Sequence, residues 1–313
     1  MTADFERAGL RVFERGWLSA NNILFAGADT DAGGESQESV LVDTGYSSHA
    51  AQTLALVRAG LNGRRLDRIV NTHLHSDHCG GNLALQQAYG CAIDVPVGEA
   101  GHVDRWDEAA LSYRATGQHC PRFARSGMLV PGSSIELGGN PWQVLASPGH
   151  DPHSVVLHQS EHGLLISADA LWENGFGVVF PELDAVDAFD AVRSTLDLIA
   201  TLRVHWVIPG HGAPFQDAPA AIDRARRRLD TMVAQPSRHA RHAAKVLIKF
   251  HLLEVQALEW PELLAWVRAT PYFTRLNRRF FADEPFDDWV EALLGELRRV
   301  GALRLDSGRI VNL

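Results

Sequence analysis

The segment Asn71-Thr72-His73-Leu74-His75-Ser76-Asp77-His78-Cys79-Gly80-Gly81 places three histidines and a carboxylate within six residues. The apolar residues 66–70 before it read as a short strand, and residues 82–88 after it read as a helix. In an extended segment, residues two apart point the same way, so His73 and His75 can converge on one ion. Asp77 and His78 follow where the chain turns into the helix, and they can face a second ion beside the first. Imidazole nitrogen and carboxylate oxygen suit zinc, and also iron or manganese. The plain alternative is a chance run of surface histidines, and the tight spacing speaks against it.

Four residues cannot complete two coordination spheres, so other segments must supply ligands. Ser147-Pro148-Gly149-His150-Asp151 puts a histidine on a Pro-Gly loop. Leu164-Leu165-Ile166-Ser167-Ala168-Asp169 ends an apolar strand on a carboxylate, and Val207-Ile208-Pro209-Gly210-His211-Gly212 delivers a further histidine. Each alone is a weak signal. Together, in this order, they are strong.

With these segments in view, residues 16–212 resemble the metallo-β-lactamase superfamily of metallo-hydrolases. The resemblance implies that His73, His75 and His150 bind one metal, that Asp77, His78 and His211 bind a second, and that Asp169 bridges them. No ligand position departs from the dinuclear pattern. The implied cofactors are two divalent cations, zinc first, with iron or manganese admissible. Asp43, in Asp43-Thr44-Gly45, matches a position beneath the metal loop where a carboxylate orients the ligands. An aspartate capping a turn is the simpler reading of that residue.

The elements around the motifs fit an α/β chain, with two sheets packed face to face and helices outside, an αββα sandwich. Residues 10–13, 22–26, 39–42, 142–145, 154–158 and 203–208 read as strands, split by turns such as residues 27–34. Residues 49–60 and 184–201 read as amphipathic helices, the first ended by Gly60. The irregular residues 99–132, with Trp106, Tyr113, Phe123 and Met128, could cover the metal site. Residues 170–177 follow the bridging carboxylate directly, and Trp172 and Phe176 there are the expected substrate contacts.

At 313 residues the chain exceeds one typical domain. The net charge of −9 is uneven: from residue 217 onward there are 16 basic and 13 acidic residues, before it 13 and 25. That asymmetry suggests a catalytic domain over residues 1–215 and a smaller, mainly helical domain over 216–313. Helices are expected at 219–233, 237–258, 261–269 and 286–300, ahead of a terminal β-hairpin around residues 306–308. A helix leading into such a hairpin resembles a winged helix. Asp287, Asp288, Glu291 and Glu296 would make its recognition helix acidic, so nucleic acid is disfavoured and packing, closure or homodimerisation is the expected role. Arg238, Arg241, Lys245 and Lys249 share one helical face and could capture an anionic substrate tail, with Lys245 and Lys249 the chosen contacts.

No apolar run approaches the roughly 20 residues that span a bilayer. The N-terminus lacks a basic-then-apolar leader, and three cysteines with no CxxC pair argue against a disulfide framework. A cytoplasmic location and a small-molecule substrate are expected. The expected activity is hydrolysis of an acyl bond, a thioester first, by a hydroxide bridging two metals, with Asp77 and Asp169 the catalytic carboxylates. The alternatives are a lactone or carboxylic ester, then a nuclease. From another class comes a mononuclear iron persulfide dioxygenase centred on His73, His150 and Asp169.

Overall fold

The computed structural model describes residues 5, 7–27, 37–183 and 187–313. Strands β1 (Leu10–Phe13), β2 (Asn22–Phe25), β3 (Val40–Val42), β4 (Arg68–Val70), β5 (Ala92–Pro96) and β6 (Gly127–Leu129) form one sheet in that order. The first three run antiparallel, and β3 to β6 run parallel. Strands β7 (Ser134–Leu137), β8 (Asn140–Ala146), β9 (Val155–Gln159), β10 (Leu164–Ala168) and β11 (Trp206–Pro209) form the second sheet, ordered β11-β10-β9-β8-β7. Only β10 and β11 are parallel neighbours there.

The period of two along each strand sorts side chains between layers. Val40 and Val42 enter the core between the sheets, together with Val70, Trp142, Val155, Ile166 and Ile208. Leu41 and Ile69, on the opposite face, pack outward. That outer layer holds helices α1 (Ala50–Leu61), α2 (Ser76–Cys79), α3 (Asn82–Tyr89), α4 (Ala100–Arg105) and α5 (Tyr113–Thr116). On the far side, Val156, Leu165 and Val207 meet α6 (Ala188–Ala200) and α7 (Ala218–Ala234). Strands buried on both faces carry near-continuous apolar runs, as these do. The result is the αββα sandwich.

Gly60 does not end α1. The helix runs to Leu61 and stops at Asn62, which lies in the left-handed region at φ 50°. A Cβ on Gly60 would lie 2.4 Å from Leu24 Cδ2, so glycine there permits close helix–sheet packing.

Beyond α7 the chain builds a second core from α8 (Pro236–Val255), α9 (Trp260–Ala269), α10 (Pro271–Phe280), α11 (Phe286–Arg299) and a sheet of β12 (Ala257–Glu259), β13 (Leu303–Asp306) and β14 (Arg309–Asn312). The sheet order is β12-β14-β13. Three expectations change. Helix α7, expected within the C-terminal domain, packs with α6 on the second sheet instead. The helix expected through residue 258 breaks at Gln256 (φ 65°), and its last residues become β12, paired with β14. Helix α10 was not expected at all. The first residues of the helix expected from 184 lie outside the described residues. Among the described residues, no helix is long and apolar enough to cross a membrane.

Candidate metal centre

Loops after β4, β8, β10 and β11 carry the motif residues. Strands β8, β10 and β11 run in one direction, so their C-terminal ends share an edge. Backbone bonds join these loops into one frame: Val155 N–H donates to Thr72 O at 2.9 Å, and Gly210 N–H donates to Ala168 O at 2.7 Å. Ala20 N–H donates to Asp77 O and Asn21 N–H to Gly210 O, while the Asn21 side-chain amide donates to Pro209 O and Gly212 O.

All seven residues expected as metal ligands come together, in two groups. His73, His75 and His150 form one; Asp77, His78, Asp169 and His211 form the other, and within each the donor atoms lie within 4.8 Å of one another. His75 Nδ1 lies 2.7 Å from His150 Nε2. Asp169 spans the groups, with Oδ2 3.3 Å from His150 Nε2 and Oδ1 3.4 Å from His78 Nε2. His211 Nε2 lies 3.0 Å from Asp77 Oδ2.

The donor set fits divalent cations. His73 Nε2 is buried and has no hydrogen-bond partner, and His78 Nε2 has only the longer contact with Asp169. An orphaned nitrogen such as that of His73 costs about 1–3 kcal/mol unless something binds it. Burial, then crowding by neighbouring imidazoles, holds His73 well below the usual histidine range. Burial chiefly also lowers His75, and it pushes His150 down to about 4, so all three present neutral lone pairs at pH 7. Burial alone would raise Asp77 and Asp169, but His78 and His211 outweigh it and both carboxyls lie below their usual range. Burial would likewise lower His78, yet Asp169, Asp43 and Asp77 together raise it well above the histidine range. That concentration of negative charge is what a metal cation would neutralise.

The surroundings leave little slack. Asp43, 2% exposed, accepts from Thr72 N–H at 2.9 Å, from the Thr72 hydroxyl at 2.7 Å and from His78 Nδ1 at 2.8 Å. It thereby holds His78 with Nε2 facing the centre. A Cβ on Gly177 would stand 2.5 Å from His150 Nδ1, and one on Gly210 would stand 2.2 Å from Asp169 Oδ1. Cys79, beside the ligands, is buried with its thiol raised, and it contacts Leu74 O, His75 O and Tyr113 Oη. It remains a protonated filler.

The centre opens on a cavity of about 640 Å³, within the usual range for ligand sites. Trp172 borders it, and its Nε1–H donates to Asp169 Oδ1 at 3.2 Å. Phe176 does not border it. The chain doubles back between Trp172 and Gly175, and Phe176 turns into the core at 1% exposure. Helix α8 supplies the far wall through Val246, Phe250 and Leu253, joined by Leu297 and Val300. Trp106, Tyr113 and Phe123 lie in the outer core; from that segment Ser112, Thr116 and Gln118 reach the cavity instead.

Lys245 and Lys249 border the cavity with their charges engaged. Lys245 pairs with Glu296 Oε2 at 2.7 Å, and Arg241 takes the other oxygen of the same carboxylate. Lys249 donates to Ala302 O, Asn312 Oδ1 and Leu313 O. These bonds tie α8 to α11 and to the chain end. Among the cavity residues without a sequence signal are Trp17, stacked on His211 with ring centroids 5.5 Å apart, and Arg228 of α7.

The chain belongs to the metallo-beta-lactamase superfamily, whose family model matches residues 32–211. It is 28% identical over 182 residues to the hydroxyacylglutathione hydrolase of Rhizobium johnstonii, a match covering 58% of this chain and 62% of that protein. It is also 28% identical over 157 residues to the acyl-coenzyme A thioesterase MBLAC2 of Gallus gallus, covering 45% of this chain and 55% of that one. The chain thus spans less than two thirds of either relative. The crystal structure of a beta-lactamase domain protein from Burkholderia ambifaria is similar at a TM-score of 0.57 and 20% identity. It covers 97% of this chain and 93% of that one, so the likeness of fold extends through the C-terminal unit.

Proposed function

We propose that this protein is a metal-dependent hydrolase of acyl thioesters. One observation carries the reading: two groups of donors share Asp169 between them and open on a cavity whose accessible wall is mostly apolar surface. His73, His75 and His150 would hold one ion, Asp77, His78 and His211 the other, with Asp169 joining both. Two divalent ions there would lower the pKa of water from 15.7 to about 7 and polarise the acyl oxygen.

The chain's own residues do the rest. Asp77 would accept the proton released by the attacking water on the carboxylate oxygen that the ion leaves free. Asp43 keeps the His78 tautomer fixed, with the proton on Nδ1. Trp17 and Trp172 flank His211 and limit access of bulk water. Nothing in the cavity needs to protonate the leaving group, because a thiolate departs unaided, and this favours a thioester over an amide. Support for the substrate class comes from the relatives, one named for hydrolysis of hydroxyacylglutathione and the other as an acyl-coenzyme A thioesterase. We further propose that the C-terminal unit, winged-helix-like in element order, serves to close the cavity through α8 and α11.

The test is turnover by purified protein on S-acylglutathione, acyl-coenzyme A, homoserine lactone and phosphodiester substrates. Thioesters are expected to give the highest kcat/KM, by about tenfold or more. Preferential turnover of the lactone or the phosphodiester would overturn the assignment.

A further inference from the structure

Three cations border the cavity, and two of them are already engaged. Lys245 has the Glu296 carboxylate, and Lys249 has two carbonyls and the Asn312 side chain. Arg228 has no carboxylate within ion-pair distance among the described residues. Its nearest acceptors are distant ones: Asn174 O at 3.5 Å from Nη1 and His242 Nε2 at 3.4 Å from Nη2.

The guanidinium is nevertheless held in place. Its carbon stands 5.6 Å from the centroid of Phe176, a cation–π contact. Gly175, at φ 131°, passes so close that a Cβ there would lie 2.7 Å from Nη1. The loop turned by Gly175 runs on to Gly177, which lies against His150, so the anchor of the cation and the backing of a metal ligand are one segment. Burial, then the charge of Arg228 itself, pushes His242 down to about 4, so this neighbour stays neutral and adds no competing charge.

We propose that Arg228 is the carboxylate-binding residue of this cavity, pairing through its planar fork with a carboxylate on the thiol side or the acyl side of the scissile bond. A half-buried cation without a counter-ion carries a desolvation cost that a ligand carboxylate offsets. The fork matches a carboxylate in bidentate geometry. Phosphates of a coenzyme would bring several negative charges to a single unpaired cation, in a cavity that also contains Glu173. This inference rests on the thioester reading and narrows it to substrates with a carboxylate.

The experiment compares the parent with Arg228→Gln and Arg228→Lys, each checked for fold by circular dichroism. The substrates are S-acetylglutathione, with its carboxylates on the thiol side, S-succinyl-N-acetylcysteamine, with its carboxylate on the acyl side, and neutral S-acetyl-N-acetylcysteamine. Arg228→Gln is expected to raise KM about 30-fold more for one of the anionic substrates than for the neutral one. The affected substrate identifies the side that carries the carboxylate. Arg228→Lys should fall between, since it keeps charge and loses the fork; it stands in for the glutamine variant should that one fail to fold. Calorimetric titration with S-methylglutathione and with succinate runs in parallel, and weaker binding of one of them by Arg228→Gln supports the site. Should no thioester turn over, the hydrolase reading fails while the titration still decides the role of Arg228. Unchanged KM for both anionic substrates, or equal or absent binding of both probes in parent and variant, would overturn the proposal.

Discussion

Replacing Asp169 by alanine is expected to lower kcat/KM at least about a thousandfold, or roughly 4 kcal/mol of transition-state stabilisation, while the sandwich stays folded. The size follows from position: one oxygen faces His150 at 3.3 Å, the other faces His78 at 3.4 Å, and Trp172 fixes the second. Among the described residues, Asp169 is the carboxylate with ion-pair contacts to histidines of both groups. A Cβ at position 210 would lie 2.2 Å from Oδ1, so glycine there leaves room for the carboxylate. Asp169→Asn separates charge from shape. It keeps an acceptor and the packing, yet should lose most of the activity because the amide is a poor metal ligand. Metal content and far-UV circular dichroism, measured beside turnover, distinguish a lost centre from a lost fold. Either variant turning over at the parent rate would contradict the placement.

Asp43→Ala is expected to act on stability first. The carboxylate is buried and satisfies three donors, Thr72 N–H, the Thr72 hydroxyl and His78 Nδ1–H. Removing one partner of such a buried network costs about 3–5 kcal/mol, because the remaining groups stay dry and unpaired. For a chain of this size that is a fall in Tm of roughly 10 °C. Metal affinity should drop about 10- to 100-fold, since His78 loses the contact that orients it. Asp43→Asn keeps a pair for Thr72 and should recover much of the stability but little of the affinity. A thermal scan with and without added zinc reads both. An Asp43→Ala protein with the parent Tm and metal content would refute the orienting role.

The centre was legible because its information is local. His73, His75, Asp77 and His78 sit on one strand-to-helix turn, and His150, Asp169 and His211 each follow a readable strand end. The layers were legible too, since Val40 and Val42 against Leu41 is a period-two pattern. What sequence could not show is long-range pairing. Glu296 lies 51 residues from Lys245 and 55 from Arg241, and nothing local signals that these three charges meet. A free basic stripe was therefore expected where the structure has a brace between helices. Phe176 looked like a contact because it follows the bridging carboxylate, but the backbone reversal at Gly175 turns it inward. Arg228 was one of several arginines on an amphipathic helix, and only the packed loop above it marks it out. β12 escaped notice because three residues between helices carry no periodicity, and its partner β14 is more than fifty residues away.

Seven side chains on four loops are placed to hold two metal ions, and hydrolysis is expected to depend on both. The most direct test is reconstitution: chelator-treated protein is titrated with zinc, iron(II) or manganese(II) while thioester turnover and bound metal are followed together. Negligible turnover is expected without metal, with binding that saturates at two ions per chain and activity that reaches its maximum with the second. Full turnover by metal-free protein, or no bound metal at any concentration added, would contradict a metal-dependent centre.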